Sequence, residues 1–149
     1  MLWAFFERTT SRKFFLLSGS LELSPELSES KKNFRKVRQS KMQKLLFVCS
    51  QNKWRSLTAE KIFEHLEDYS VKSAGTENGA RIKITAGMIG WADLIFVMEK
   101  KHRERIQEKF GDLLINKPIF VLNIPDDYQF MDEELIDILT NRVGEIIEL

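Results

Sequence analysis

The chain has 149 residues, of which 43% are hydrophobic and 30% charged, and its net charge is +1. That is enough for one domain with a real apolar core, and the longest apolar runs are far too short for a membrane-spanning helix. A single cysteine excludes an internal disulfide framework and a cysteine-based zinc site, and it fits a reducing, cytoplasmic compartment.

The charge is unevenly spread. Residues 1–41 carry nine Lys/Arg against four Asp/Glu, a net +5, and residues 42–149 carry fourteen against eighteen, a net −4. An acidic balance over the larger part argues against a nucleic-acid-binding surface there. Residues 18–30 are rich in Ser, Glu and Leu, and residues 31–41 are basic. Neither stretch shows strand alternation, and the apolar cluster at residues 14–17 is too short for a signal-peptide core. Residues 1–41 are therefore expected to be a poorly ordered N-terminal extension, with a basic docking arm as the competing reading. Residues 42–149 are expected to be the folded domain. Met42 directly precedes the first convincing strand, which is compatible with a start there.

From Lys44 onward the pattern is regular. Leu45, Leu46, Phe47 and Val48 form a short apolar run of the kind buried in a parallel sheet. Ser56 is expected to cap a helix whose apolar face is Ala59, Ile62, Phe63 and Leu66. Residues 69–73 read as a second strand, stopped by Ala74 and Gly75. Thr85 opens a short helix through Gly90, and residues 93–98 form a third strand. A charged helix over residues 99–110 ends at Gly111. Residues 119–122 are a fourth strand. The last helix starts near Asp132 and buries Leu135, Ile136, Leu139, Val143, Ile146 and Ile147. The two histidines, His65 and His102, fall in separate charge-rich helical patterns without metal-site spacing, and both are expected at the surface.

Strands alternating with helices imply an α/β fold, a four-stranded parallel sheet with helices on both faces. Ligands in such folds bind at the carboxyl ends of the strands. Two features fall there, Cys49 after the first strand and the pair Asp126 and Asp127 after the fourth.

The segment Cys49-Ser50-Gln51-Asn52-Lys53-Trp54-Arg55-Ser56 lies between a buried strand and a helix start. A loop in that position turns successive backbone N–H groups inward as an anion nest, backed by the positive end of the helix dipole. A free thiol, with pKa about 8.5, is only a few per cent ionised at neutral pH, and helix-end sites favour the thiolate. Arg55, six positions after the cysteine, offers a planar fork that holds two phosphate oxygens. Ser56 can donate its hydroxyl hydrogen to the sulfur. A lone cysteine ending an apolar strand is more often an inert core residue; the Arg and Ser at this spacing, in a strand–loop–helix setting, favour chemistry. A nucleotide-binding loop is disfavoured, because the glycine-rich run ending in Gly-Lys-Ser/Thr is missing.

Phe47-Val48-Cys49 through Arg55-Ser56, followed by Ala59-Glu60, resembles the phosphate loop of the low-molecular-weight protein tyrosine phosphatases. Ser73-Ala74-Gly75-Thr76 is similar to that family's turn after its second strand. Ala92-Asp93-Leu94-Ile95 through Val97-Met98 is similar to its third strand, and Pro125-Asp126-Asp127-Tyr128 to its late acid-bearing loop. The resemblance spans about residues 43–148. It implies a phosphomonoester hydrolase, acting on protein phosphotyrosine through a phosphocysteine intermediate, with no metal and no other cofactor. Cys49 is then the nucleophile, Arg55 the phosphate-binding side chain and Asp126 the general acid. Ser50, Gln51, Asn52, Lys53 and Trp54 form the phosphate cradle with Arg55. Asn52, Ser56 and Ser73 support the loop, and Tyr128 lines one wall of the pocket. The implied partner is a phosphorylated protein or a small phosphomonoester, and no membrane.

The sequence departs from the family pattern in three places. Asp127 stands at the usual proline, so two adjacent carboxylates compete for the acid role. Sixteen residues separate Thr76 from Asp93, fewer than the family has, and Asn78 stands where a bracing histidine is usual. The pocket is therefore expected to lack one wall, with Trp54 as replacement aromatic surface or as packing. Leu57 replaces a proline that suits, but is not required in, a first helical turn. A cysteine-dependent arsenate reductase shares the loop, but Cys49 has no second cysteine for an internal relay, which leaves that reading only with rescue by an external thiol. The remaining alternatives are a phosphatase for nucleotide or RNA-end phosphates and a catalytically weak phosphate-binding module.

Overall fold

The computed structural model describes residues 42–149, so the expectations for residues 1–41 lie outside the described residues. Strand β1 (Gln43–Cys49) carries the first apolar run. Successive side chains on a strand point to opposite faces. Leu45 and Phe47 enter one core and Leu46 and Val48 the other, and all four are fully buried. A run apolar at every position is thus explained by a strand covered on both sides.

β2 (Tyr69–Gly75) lies parallel to β1 on one side, from Gln43 opposite Tyr69 to Cys49 opposite Gly75. β3 (Leu94–Val97) lies parallel on the other side, and β4 (Ile119–Val121) continues outward from β3. The order β2-β1-β3-β4 makes the expected four-stranded, all-parallel sheet. One face is covered by Ala59 and Phe63 of α1 (Arg55–Phe63) and by Leu135, Leu139 and Val143 of α4 (Glu133–Gly144). Phe63, Phe47, Phe96 and Phe120 stack across it with ring centroids 5.6, 5.0 and 5.5 Å apart in turn. The opposite face is covered by Ile89 of α2 (Ala86–Trp91), Ile106 of α3 (Lys100–Phe110) and Leu114 from a 3-10 turn over Gly111–Leu114.

The chain leaves β1 toward β2 through α1 on one face and reaches β3 through α2 on the other. The strand order reverses at β1, and a crevice opens at its carboxyl end, where such sheets bind ligands. No helix among the described residues is long and apolar enough to cross a membrane.

Local expectations are corrected in several places. Ser56 does not cap α1: the helix begins at Arg55 with Trp54 in the cap position, and Ser56 is buried within the first turn. Leu66 lies beyond the helix end at Phe63, although it still packs against the core with Ile62. β2 continues through Ala74 and Gly75 rather than stopping before them. In α4, Leu135, Leu139 and Val143 are buried together with Ile147 beyond the helix end, but Ile136 is only half-buried and Ile146 is exposed. Two helix starts are as expected, and each carries a side-chain cap: the Thr85 hydroxyl accepts from the Met88 N–H, and the Asp132 carboxylate from the Glu134 N–H.

Candidate active site

The loop after β1 is built around one sulfur. Asn52 has φ of 59°, a left-handed conformation that asparagine adopts more readily than most residues. This turns its backbone N–H back toward Cys49 Sγ, 3.2 Å away. Ser56 Oγ lies 3.0 Å from the same sulfur. Because Asn52 Nδ2 donates to Ser56 Oγ at 2.7 Å, the serine's own hydrogen turns to an acceptor, and the sulfur at 3.0 Å is nearer than the Ala74 carbonyl at 3.5 Å. Two donors therefore converge on Sγ at the start of α1, whose dipole adds to them.

Arg55 is 2% exposed, and a buried guanidinium requires partners. Its Nη1 donates to Glu99 Oε1 at 2.7 Å and to the Ile124 carbonyl at 2.8 Å, and its Nη2 lies 3.2 Å from Asp126 Oδ1. Glu99 sits just ahead of α3 and Ile124 just after β4, so the two neighbouring strand ends clamp one face of the fork. Burial alone would raise the Glu99 pKa, but the hydrogen bond and charge of Arg55 outweigh it and hold the carboxyl below its ordinary range. Asn123, with φ of 56°, turns the chain after β4 so that Ile124 and Asp126 both reach Arg55.

A second layer holds the loop's shape. Asn52 Nδ2 also donates to Ser73 Oγ at 2.9 Å, and the Ser73 hydroxyl donates to Glu60 of α1. The amides of Thr76, Glu77 and Arg81 donate to the carbonyls of Cys49, Ser50 and Gln51 at 2.9, 3.0 and 2.9 Å. Arg81 Nε adds a bond to the Asn52 carbonyl at 3.2 Å. Asn78 is exposed and pairs with Lys83 instead. The short segment after β2 thus braces the loop with its backbone and Arg81, not with the residue at the bracing-histidine position.

His102 corrects the expectation of a surface residue: it is fully buried, while His65 is exposed. Its Nδ1 accepts from the Glu99 N–H at 3.0 Å, and its Nε2 lies 2.8 Å from Ser50 Oγ. Burial, and then the nearby Arg55 charge, push its pKa down to about 4. It is neutral at physiological pH.

A cavity of about 320 Å³ opens over the loop, lined by Cys49, Ser50, Gln51, Lys53, Trp54, Arg55, Glu77, Lys101 and Asp126. The structure therefore brings Cys49, Arg55 and Asp126 together with most of the expected cradle. Asn52 is fully buried beneath it and faces the sulfur. Trp54, 43% exposed, stands at the cavity rather than in a core. Tyr128 does not line the cavity: its ring packs on the α1–α4 core and its hydroxyl donates to Glu134 Oε2 at 3.1 Å. Asp127 is exposed and does not line it either. Sequence reasoning missed Glu99, His102, Glu60 and Arg81. Only the three-residue spacing of Glu99 and His102 at a helix start carried a local signal.

No protein-family model matches this sequence, and no curated protein does. Solved structures do. The tyrosine phosphatase Wzb from Escherichia coli K30, in complex with phosphate, is 21% identical, with a TM-score of 0.58 over 70% of this chain and 96% of that one. SP-PTP, a low-molecular-weight protein tyrosine phosphatase from Streptococcus pyogenes, is 16% identical, with a TM-score of 0.59 over 72% and 95%. The YwlE arginine phosphatase from Geobacillus stearothermophilus is 21% identical, with a TM-score of 0.54 over 70% and 92%. The fold expected from the sequence is thus the fold found.

Proposed function

With the fold of the low-molecular-weight protein tyrosine phosphatases as premise, we propose that this protein is a phosphomonoester hydrolase that works through a phosphocysteine on Cys49 and takes protein phosphotyrosine. The observation that carries this reading is the sulfur itself. Cys49 lines a cavity that Arg55 also lines, and its sulfur accepts from the Asn52 N–H at 3.2 Å and lies 3.0 Å from the Ser56 hydroxyl oxygen. An inert core cysteine needs none of these polar partners.

In the reaction, the Cys49 thiolate attacks phosphorus in line with the ester oxygen. A sulfur–phosphorus bond forms as the phosphorus–oxygen bond breaks, and Asp126 gives its proton to the departing oxygen. Arg55 Nη2 and the loop amides neutralise the equatorial oxygens as charge spreads over them. Asp126, then ionised, takes a proton from water as the water attacks phosphorus. The thiolate leaves, stabilised by Asn52 and Ser56, and inorganic phosphate is released. Asp126 rather than Asp127 fills this role, since it lines the cavity 3.2 Å from Arg55. Trp54 supplies an aromatic surface for the substrate ring in place of Tyr128.

The test is a substrate panel of phosphotyrosine, phosphoserine and phosphoarginine peptides, nucleotides and phosphorylated RNA ends, with p-nitrophenyl phosphate as the generic substrate. Phosphotyrosine peptides are expected to be hydrolysed fastest, and Cys49→Ser to abolish turnover and the phosphoenzyme burst. A Cys49→Ser variant that still turns over would remove the phosphocysteine. A preference for another substrate would leave the chemistry and change the substrate.

A further inference from the structure

The side chains of Ser50 and His102 have no role in the reaction as written, yet they are paired beside the cavity. Ser50 follows Cys49 directly, is 8% exposed and lines the cavity. The hydrogen-bond directions along this pair are determined. A backbone N–H can only donate, so the Glu99 amide at 3.0 Å makes Nδ1 the acceptor nitrogen of the His102 ring. In neutral imidazole the proton is then on Nε2. That N–H donates to Ser50 Oγ, 2.8 Å away. The serine oxygen is thereby used as an acceptor, and its own hydrogen needs another destination. Among the described residues Ser50 Oγ makes no other hydrogen bond. The open direction is the cavity.

We infer that the Ser50 hydroxyl, oriented by His102, donates a hydrogen bond to the bound phosphoryl group, adding a side-chain contact to those of the loop amides and Arg55. The inference rests on the phosphatase reading for its ligand. Ser50 is the binding residue and His102 a positioning residue that acts through it. The chain of donors runs from the Glu99 amide at the start of α3, through the imidazole, to the serine and the anion. The positive end of a second helix is thus relayed into the cavity, beside that of α1. Each link donates in the same direction, so the links polarise one another.

The experiment measures inorganic phosphate binding by calorimetry, and p-nitrophenyl phosphate kinetics, for the full chain, Ser50→Ala, Ser50→Thr, His102→Gln and the Ser50→Ala/His102→Gln double variant. A lost hydrogen bond to a charged group predicts about tenfold weaker phosphate binding in Ser50→Ala. KM should rise by a similar factor while kcat changes little, because the contact is made to substrate and transition state alike. Ser50→Thr should recover most of the loss. His102→Gln should weaken phosphate severalfold in the wild-type background and have no further effect in Ser50→Ala, the signature of action through one hydroxyl. Melting temperatures without phosphate separate this from a merely structural role. Phosphate affinity unchanged in Ser50→Ala would overturn the inference, even if the wild-type protein is a competent phosphatase. Should His102→Gln fail to fold, the two Ser50 variants decide alone. If the wild type binds phosphate but hydrolyses no phosphomonoester, the phosphatase reading fails while the Ser50 contact still stands or falls on the binding data. A wild type that binds no phosphate removes both.

Discussion

Arg55 Nη2 lies 3.2 Å from Asp126 Oδ1, while Nη1 of the same guanidinium is held by Glu99 Oε1 at 2.7 Å and by the Ile124 carbonyl at 2.8 Å. The two carboxylates differ in setting: the Glu99 side chain is 30% exposed and that of Asp126 58%. Glu99 therefore fixes the fork from the protein side, and Asp126 stands on the side from which a ligand arrives. On the proposed phosphatase reading, a phosphate entering from the cavity displaces Asp126, the more exposed partner, and leaves Glu99 in place.

If Glu99 is what orients Arg55, Glu99→Gln should destabilise the fold by about 1–2 kcal/mol. Breaking a fully buried pair costs more, but partial exposure screens this one. The urea midpoint should fall without a change in slope. An unchanged midpoint would mean that the Ile124 carbonyl holds the guanidinium unaided.

Asp126 and Asp127 are chemically alike and adjacent, so leaving-group dependence separates them. Asp126→Ala should lower kcat by about 10²-fold or more for alkyl phosphates and far less for p-nitrophenyl phosphate, whose leaving oxygen needs little proton donation. Asp127→Ala should leave both rates near wild type. The reverse pattern would transfer the acid role to Asp127.

At Gly75 a methyl group has nowhere to go. A Cβ there would lie 2.5 Å from the Ser50 carbonyl oxygen and 2.6 Å from Ala80 Cβ, and the first of these is backbone. Gly75→Ala should cost about 1–3 kcal/mol and push the phosphate loop away from β2, lowering phosphate affinity together with melting temperature. Wild-type affinity in a destabilised variant would show that the loop tolerates the shift.

His102 predicts a stability change in mild acid. Its pKa is held at about 4 in the fold, against an ordinary 6.5, so the unfolded chain takes up the proton first. The contribution is fully present above pH 6.5 and is lost as pH falls from 6.5 toward 4, by up to about 3 kcal/mol. Glu99, whose pKa is lowered, adds a further loss below its ordinary 4.5. Denaturant unfolding from pH 7 to 4 should show the first loss in the wild type and a flatter curve in His102→Gln. Identical slopes would exclude His102 as the source.

What was legible in the sequence is what depends on neighbours along the chain. The apolar run of β1, the helix starts at Thr85 and Asp132, and the Cys49–Arg55–Ser56 spacing each lie within one strand, turn or loop. They were enough for the parallel sheet, the strand–loop–helix cradle and the candidate nucleophile. The position of Ser56 shows the limit even there, since a cap and a first-turn hydroxyl look alike until the start of the helix is known.

The tertiary structure alone decided which distant groups meet at the carboxyl edge of the sheet. Arg55 and Glu99 are 44 positions apart, and Ser50 and His102 are 52 apart. No periodicity links them. They meet because β3 pairs beside β1, which brings the start of α3 up against the phosphate loop. The same strand order places Asp126 beside Arg55 and packs the half-buried Tyr128 ring against the outside of the α1–α4 core. Side-chain alternation along a strand reveals which face is buried, but strand order and register determine which strand ends become neighbours, and the chemistry is at those ends.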